Sequence, residues 1–318
     1  MKNAAVISMD IGGTNLRLAI VSKDGTVIVR SQTPCRINEG RTVFLEVIKT
    51  EYEKIRLLAE ESDLKIEALG AGVPGLIDRT GTIISSVNLK PIDGFNLMEW
   101  LGSVSRLPSI ILNDANAAAV AEHHYGAGRP FSSILHFTLG TGVGSGLILE
   151  NRLWTGCDGV ASEYGHVTVE PDGYLCQCGN HGCLEQYASA TGIARFAKEK
   201  VRGGENSILT ELPADSLDAS DVASAAYRGD PLALQCFSHA GRYLGIAAAG
   251  AVNMLNLEAI VLGGGVAESF DLISPAIRKE IDNRAFQLPA SRVKLLKGEL
   301  GDNAGIMGAA AAAWGVVQ

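Results

Sequence analysis

The 318-residue sequence predicts an α/β protein built from two related units, and three observations carry that prediction. A strand, a glycine-rich turn, a second strand and a hairpin run from 4 to 30, and the same succession returns over 134–154. Apolar runs of strand length are interspersed with longer stretches at helical spacing. Hydrophobic residues make up 47% of the chain and charged residues 19%, which is enough to fill a large core over a length suited to about two domains.

The first unit opens with an apolar strand over 4–9 that runs into Asp10-Ile11-Gly12-Gly13-Thr14-Asn15. A second strand follows over 16–21, and Lys23-Asp24-Gly25 turns the chain into a third at 27–30. Val43, Val47, Ile48, Ile55 and Leu58 recur among charged residues at helical spacing, which predicts a helix within 41–61. Residues 68–73 make another strand, stopped by Pro74-Gly75. An apolar run ends at Leu112-Asn113, and an Ala-rich helix opening at Asp114 links the two units. The second unit begins with strand 134–139, followed by the turn Gly140–Gly146, strand 147–149 and a turn at 150–152. Residues 186–256 read mostly as helix, broken at Gly203-Gly204 and at Gly229-Asp230-Pro231. Strand 257–262 ends in Gly263-Gly264-Gly265, and a helix over about 304–315 is expected to return to the first unit.

The net charge of −8 argues against broad binding to nucleic acid or anionic membrane, so neither is an expected partner. No apolar stretch reaches the roughly 20 residues of a membrane span. Residues 1–7 lack the apolar core of a signal peptide, so the expected location is cytoplasmic.

A glycine turn after a strand lets backbone N–H groups converge on an anion with no Cβ in the way. In the first turn Gly12, Gly13 and Thr14 supply such donors, and Asp10 adds a carboxylate suited to hydrated Mg2+. Gly140, Thr141, Gly142 and Gly144 would meet the same phosphates from the other unit. An ordinary hairpin is the plain reading of either turn; the repetition favours a phosphate site. Gly264 is a candidate for close approach to an adenine or ribose, with a simple strand-ending loop as the alternative. G-x-G-x-x-G and G-x-x-x-x-G-K-[ST] are both absent, which disfavours dinucleotide-binding and P-loop enzymes.

Four further residues point to a metal. His166, Cys176, Cys178 and Cys183 fall within 18 residues, whereas Cys35, Cys157 and Cys236 are scattered. With no secretory signal, clustered thiols favour a metal over disulfides. Three thiolates and an imidazole suit tetrahedral zinc with no open position, hence a structural ion. Glu163 and Glu185 bracket the cluster and call for a separate explanation. Asp114 has two readings: helix capping together with Asn113, or a general base taking a proton from an attacking hydroxyl.

Together these segments resemble the ROK family of sugar kinases and repressors, within the wider actin-like ATPase (ribonuclease H-like) plan. The resemblance rests on DIGGTN at 10–15, GVPG at 72–75, ND at 113–114, LGTGVGSG at 139–146, E-x-G-H at 163–166, CxCGxxGCLE at 176–185 and LGGG at 262–265. It implies two α/β domains flanking a cleft, one over 1–115 with 302–318, the other over 116–301 and carrying the zinc-bound loop. ATP with Mg2+ would lie between the glycine turns and a sugar on the zinc side. Carried over, Asp114 resembles the catalytic base, and Asn113, Glu163, His166 and Glu185 resemble ligands of the sugar hydroxyls, with Asn88 and Gly75 as further pocket residues. His166 would use one ring nitrogen for zinc and the other for the sugar.

The implied reaction is ATP-dependent phosphorylation of a hexose, glucose first, with N-acetylmannosamine, allose, mannose and fructose as alternatives, and the implied assembly is a homodimer or homotetramer. A non-catalytic sugar sensor and a DNA-binding repressor are the rivals from another class. The repressor is disfavoured at this level because only nine residues precede Asp10. One departure stands out: Ser162 precedes Glu163 where the family commonly has Gly.

Overall fold

The computed structural model describes residues 3–317. Its strands are β1 (Asn3–Ile11), β2 (Asn15–Ser22), β3 (Val27–Pro34), β4 (Leu64–Val73), β5 (Leu76–Ile77), β6 (Ile83–Ser85), β7 (Ser109–Asn113), β8 (Ile134–Leu139), β9 (Val143–Leu149), β10 (Arg152–Leu153), β11 (Ala259–Gly263) and β12 (Lys294–Lys297). Its helices are α1 (Arg41–Glu61), α2 (Leu97–Ser105), α3 (Asp114–Tyr125), α4 (Glu185–Ala188), α5 (Ala190–Arg202), α6 (Ala219–Tyr227), α7 (Pro231–Leu255), α8 (Phe270–Arg284), α9 (Gln287–Arg292) and α10 (Ala304–Gly315).

Two five-stranded sheets repeat one topology. The first runs β3-β2-β1-β4-β7 and the second β10-β9-β8-β11-β12. In each, three strands form an antiparallel meander and two more join in parallel. β1 is central in its sheet, and Ala5–Met9 are buried throughout, which explains why this strand reads as an apolar run, interrupted only by Ser8, and not as an alternation.

The layers follow from which face each apolar residue takes. Ile7, Met9 and Ile11 meet α1 and α2 on the outer side of the first sheet. On its other face Val6, Ala19 and Ala68 pack on Ile306, Ala310 and Ala313 of α10. Leu135, Phe137 and Leu139 of the second sheet join a large outer core with α4–α8. Its remaining face sets Ile134, Ile148 and Val261 against Val120 of α3 and Ala311 of α10. Helices α3 and α10 therefore lie between the sheets. They approach so closely that a Cβ on Gly308 would sit 1.8 Å from the Ala117 carbonyl oxygen. A Cβ on Gly70 of β4 would sit 2.0 Å from the Ala309 oxygen.

The expected helices at 41–61 and 304–315 are found at those bounds, and α10 does return to β1 and β4. The helical stretch resolves into α4–α7, with Gly203-Gly204 after α5 and Asp230 capping α7 ahead of Pro231. The second glycine turn is shorter than the sequence suggests, because Gly144 and Gly146 are ladder residues of β9 opposite Thr138 and His136. The β5–β6 hairpin, α2, α8, α9 and β12 were not anticipated. Among the described residues no helix is long and apolar enough to cross a membrane.

Candidate active site

Asp114 is the first residue of α3, immediately after β7. Both readings of this segment hold, divided between neighbours. The Asn113 side chain caps the helix, accepting from Ala115 N and Asn116 N, and its Nδ2 donates to the Gly75 carbonyl at 3.0 Å. Asp114 is thereby released from capping as its main duty, although one of its oxygens accepts from Ala115 N at 2.9 Å. Its carboxylate is open to solvent on one side and crowded by protein on the others. That crowding, by stripping water, holds the carboxyl above the usual range, against hydrogen bonds that lower it.

Asp10 ends the inner part of β1 and faces Arg17 across the β1–β2 ladder, with Nη1 3.6 Å from Oδ2. Burial raises its carboxyl above the ordinary value, Arg17 opposes this, and the negative charge of Asp114 adds to it. The start of α10 lies against this carboxylate: a Cβ on Gly305 would be 2.8 Å from it. The turn that follows is held by Gly12 N donating to Asn15 O at 2.8 Å and by Cys35 N donating to Thr14 O at 2.9 Å. Asn88 packs on this turn, 3.1 Å from a Cβ built on Gly13. Asn88, Gly75 and Asn113 are thus all connected to the Asp10–Asp114 region.

The second turn is Gly140–Gly142, closed by Gly140 N donating to Gly142 O at 3.0 Å. Thr191 of α5 fastens it from behind through a hydrogen bond to Thr141 O. A side chain at Gly142 would displace the Glu185 carboxylate, since its Cβ would meet Glu185 Oε2 at 2.4 Å. That oxygen accepts from Val143 N at 3.1 Å. Glu185 therefore joins the glycine turn to the cysteine loop, a connection the sequence did not disclose. Gly144, in the strand, serves helix packing: a Cβ there would meet Ala115 Cβ at 2.8 Å. Gly264 has φ 82°, and a Cβ built on it would sit 2.6 Å from the Leu139 oxygen, just before the second turn.

The ligand atoms of His166, Cys176, Cys178 and Cys183 all lie within 4.8 Å of one another. Cys176 Sγ is 3.6 Å from His166 Nδ1, and Cys178 Sγ is 3.6 Å from Cys183 Sγ. Bonds of about 2.0–2.3 Å to a tetrahedral ion put its ligands roughly 3.4–3.8 Å apart, so spacing and donor chemistry both fit zinc. All six cysteines are free thiols here. Nδ1 faces the cluster, which leaves Nε2 of His166 available to another partner. Glu163 lies just before this histidine; burial raises its carboxyl, His166 opposes, and Asp114 and Glu185 add to the rise.

Ser162, the residue that departs from the family pattern, has φ 70°, a left-handed conformation that favours glycine. Its hydroxyl points to Ser145 Oγ at 3.3 Å. The sequence reading missed Ser145, Arg17 and Val143. Arg17 could have been found by folding the β1–β2 hairpin on paper; Ser145 and Val143 gave no signal beyond lying among glycines.

The ROK family matches this chain over residues 6–315. The chain is 37% identical to the glucokinase of Halalkalibacterium halodurans over 313 residues, covering 97% of this chain and 94% of that one. It superposes on the ROK family glucokinase from Streptomyces griseus, solved in complex with glucose and AMPPNP, with a TM-score of 0.79 and 30% identity over 98% and 99% of the two chains. The xylose repressor of Caldicellulosiruptor bescii is 28% identical, with 96% of this chain aligned to 76% of the repressor. From the two glycine turns, the Cys3His cluster and these matches it follows that the chain belongs to the ROK family.

Proposed function

We propose that this protein transfers the γ-phosphoryl group of ATP to a hydroxyl of a hexose, with glucose as the acceptor the relatives most favour. The observation that carries the reading is the position of Asp114. It opens α3, between Asn113, which donates to the Gly75 carbonyl, and Ala115, which packs under Gly144 beyond the second glycine turn, and this supports a role between a nucleotide half and a sugar half.

In this reading Asp114 accepts the proton of the attacking hydroxyl, and its raised pKa makes it a better acceptor than an ordinary carboxylate. Backbone N–H groups of Gly12, Gly13 and Thr14 meet the phosphates from one side, and those of Gly140, Thr141 and Gly142 from the other. Asp10 holds the hydrated Mg2+ that accompanies ATP, and Gly264 lies toward the nucleoside. Asn113, Glu163, His166 Nε2 and Glu185 hold sugar hydroxyls, with Asn88 and Gly75 at the edge of that pocket. His166, Cys176, Cys178 and Cys183 hold a zinc ion that cross-links the loop and performs no step. The two sheets form two domains, 1–115 with 302–318 and 116–301, flanking the cleft; residues 1, 2 and 318 lie outside the described residues. Closure of the domains shuts out water as a competing nucleophile. The functional assembly is a homodimer or homotetramer in the cytoplasm.

The similarity to a xylose repressor supports a second reading, a sugar-responsive regulator. ATP consumption with glucose, N-acetylmannosamine, allose, mannose and fructose separates the two. The kinase reading expects sugar-dependent ADP release with the highest kcat/KM for glucose; binding of a sugar with no ADP release from any of them would establish the regulator.

A further inference from the structure

Ser145 lies on β9, three residues beyond the second glycine turn, and is buried. Its hydroxyl donates to the carbonyl of Ser162 and accepts from the backbone N–H of Tyr164 at 3.0 Å. It also accepts from the hydroxyl of Ser162 at 3.3 Å. A serine hydroxyl has one donor and two acceptor sites, so its capacity is fully used. Two of these bonds go to backbone groups flanking one residue, and that residue is Glu163.

Residues after Glu163 have their own anchors, His166 N donating to Glu163 O at 3.0 Å and the Tyr164 hydroxyl donating to Ala247 O at 3.3 Å, but the Ser162 side is held by Ser145. Ser162 is in a left-handed conformation that costs a side-chain-bearing residue free energy, so something must secure it. Beyond Glu163 the chain lies flat on β9: a Cβ on Gly165 would be 2.0 Å from the Val143 oxygen. Val143, at the start of β9, is also the donor to Glu185. The strand that leaves the phosphate turn thus supports both glutamates of the sugar half, Glu185 through Val143 and Glu163 through Ser145.

We propose that Ser145 is a positioning residue which sets the carboxylate of Glu163 by fixing the peptide groups on either side of it. It touches neither substrate. The inference rests on the sugar-kinase reading above, and it assigns hexose recognition partly to a hydroxyl buried under the loop.

A double-mutant cycle tests it, with the hexose of highest kcat/KM as substrate and Ser145→Ala, Glu163→Gln and the double variant compared with wild type. Ser145→Ala should raise the hexose KM roughly tenfold to a hundredfold, the scale of a small misplacement at a binding group. The KM for MgATP should stay within about twofold, since the phosphate turns are untouched. In the Glu163→Gln background the same serine change should have little further effect on hexose KM. Ser145→Cys keeps the shape and a weak donor, and covers the case in which the alanine variant does not fold; it should show a smaller rise with the same non-additivity. Additive effects on hexose KM, or equal rises in both KM values, would overturn the proposal by showing a general structural role. If the wild type phosphorylates no hexose at all, the kinase reading itself fails and takes the inference with it.

Discussion

The two five-stranded sheets share a strand order and differ where their glycine turns begin. Two residues before the first turn stands Asp10, and at the same distance before the second stands Thr138. Across the ladder Asp10 faces Arg17, whereas Thr138 faces Gly144. One sheet therefore presents a charged pair and the other a neutral, close-packed one. The difference has two consequences. In the proposed reading, Asp10 alone at the start of a turn would hold the cation of the nucleotide, and a carboxylate in place of Thr138 would add repulsion to the phosphates. The bare Gly144 lets Ala115 of α3, the residue after Asp114, settle directly on β9. The strand order repeats between the sheets, and the residues ahead of the two turns do not.

The largest test of this asymmetry is Asp114→Asn. It should lower kcat by roughly 10²–10⁴-fold, the usual range for a general base, while calorimetry still detects sugar and nucleotide binding. Retention of a tenth of wild-type turnover would remove Asp114 from that role.

The cysteine loop belongs to the second unit alone, so its loss should leave the first turn unaffected. Cys176→Ser or Cys183→Ser should abolish the bound zinc measured by elemental analysis and raise the hexose KM at least tenfold, as metal-site disruption commonly does. The affinity for nucleotide should change little. Full activity in a metal-free protein would show that the loop is held without an ion.

A third difference concerns acid. Four residues before each turn the first sheet has Ser8 and the second His136, both buried, each with an unpartnered polar atom. Burial drives the His136 imidazole down from 6.5 to about 4. The unfolded chain therefore takes up this proton first, and stability is lost as pH falls from about 6.5 toward 4. The full loss is about 3 kcal/mol, at 1.36 kcal/mol per pH unit. Urea titrations of wild type and His136→Gln at pH 7 and pH 4.5 should show a steeper decline in the wild type. Parallel declines would place the acid sensitivity elsewhere.

The smallest effect expected is at the ladder pair itself. Gly144→Ala puts a methyl group 2.8 Å from Ala115 Cβ and should cost roughly 1–3 kcal/mol in thermal unfolding, with a fall in kcat as α3 shifts. Arg17→Ala, at the matching place in the first sheet, removes a half-exposed pair and should change stability by no more than about 1 kcal/mol. Equal costs at both places would mean that α3 does not depend on the bare glycine.

Much of this was legible in the chain. Periodicity located α1, because burial of one face imposes a repeat that survives in one dimension; helix-forming composition located α10, and apolar runs located β1, β4, β8 and β11. The Cys3His set was equally plain, since few residue types bind metal and their spacing is local. Short elements such as β5, β6 and β12 escaped notice, being too brief to show a period. Gly144 was misplaced because a glycine in a turn and a glycine under a helix look alike in sequence. Composition and local spacing by themselves determined the fold class, the repeat and the candidate ligands. Only the tertiary structure decided which carboxylates share a site, that Glu185 is tied to Val143, and that Ser145 grips the chain on both sides of Glu163. Those pairings join residues 17 to 42 positions apart, and hydrogen bonds of that reach leave no mark on the sequence until the backbone brings their partners together.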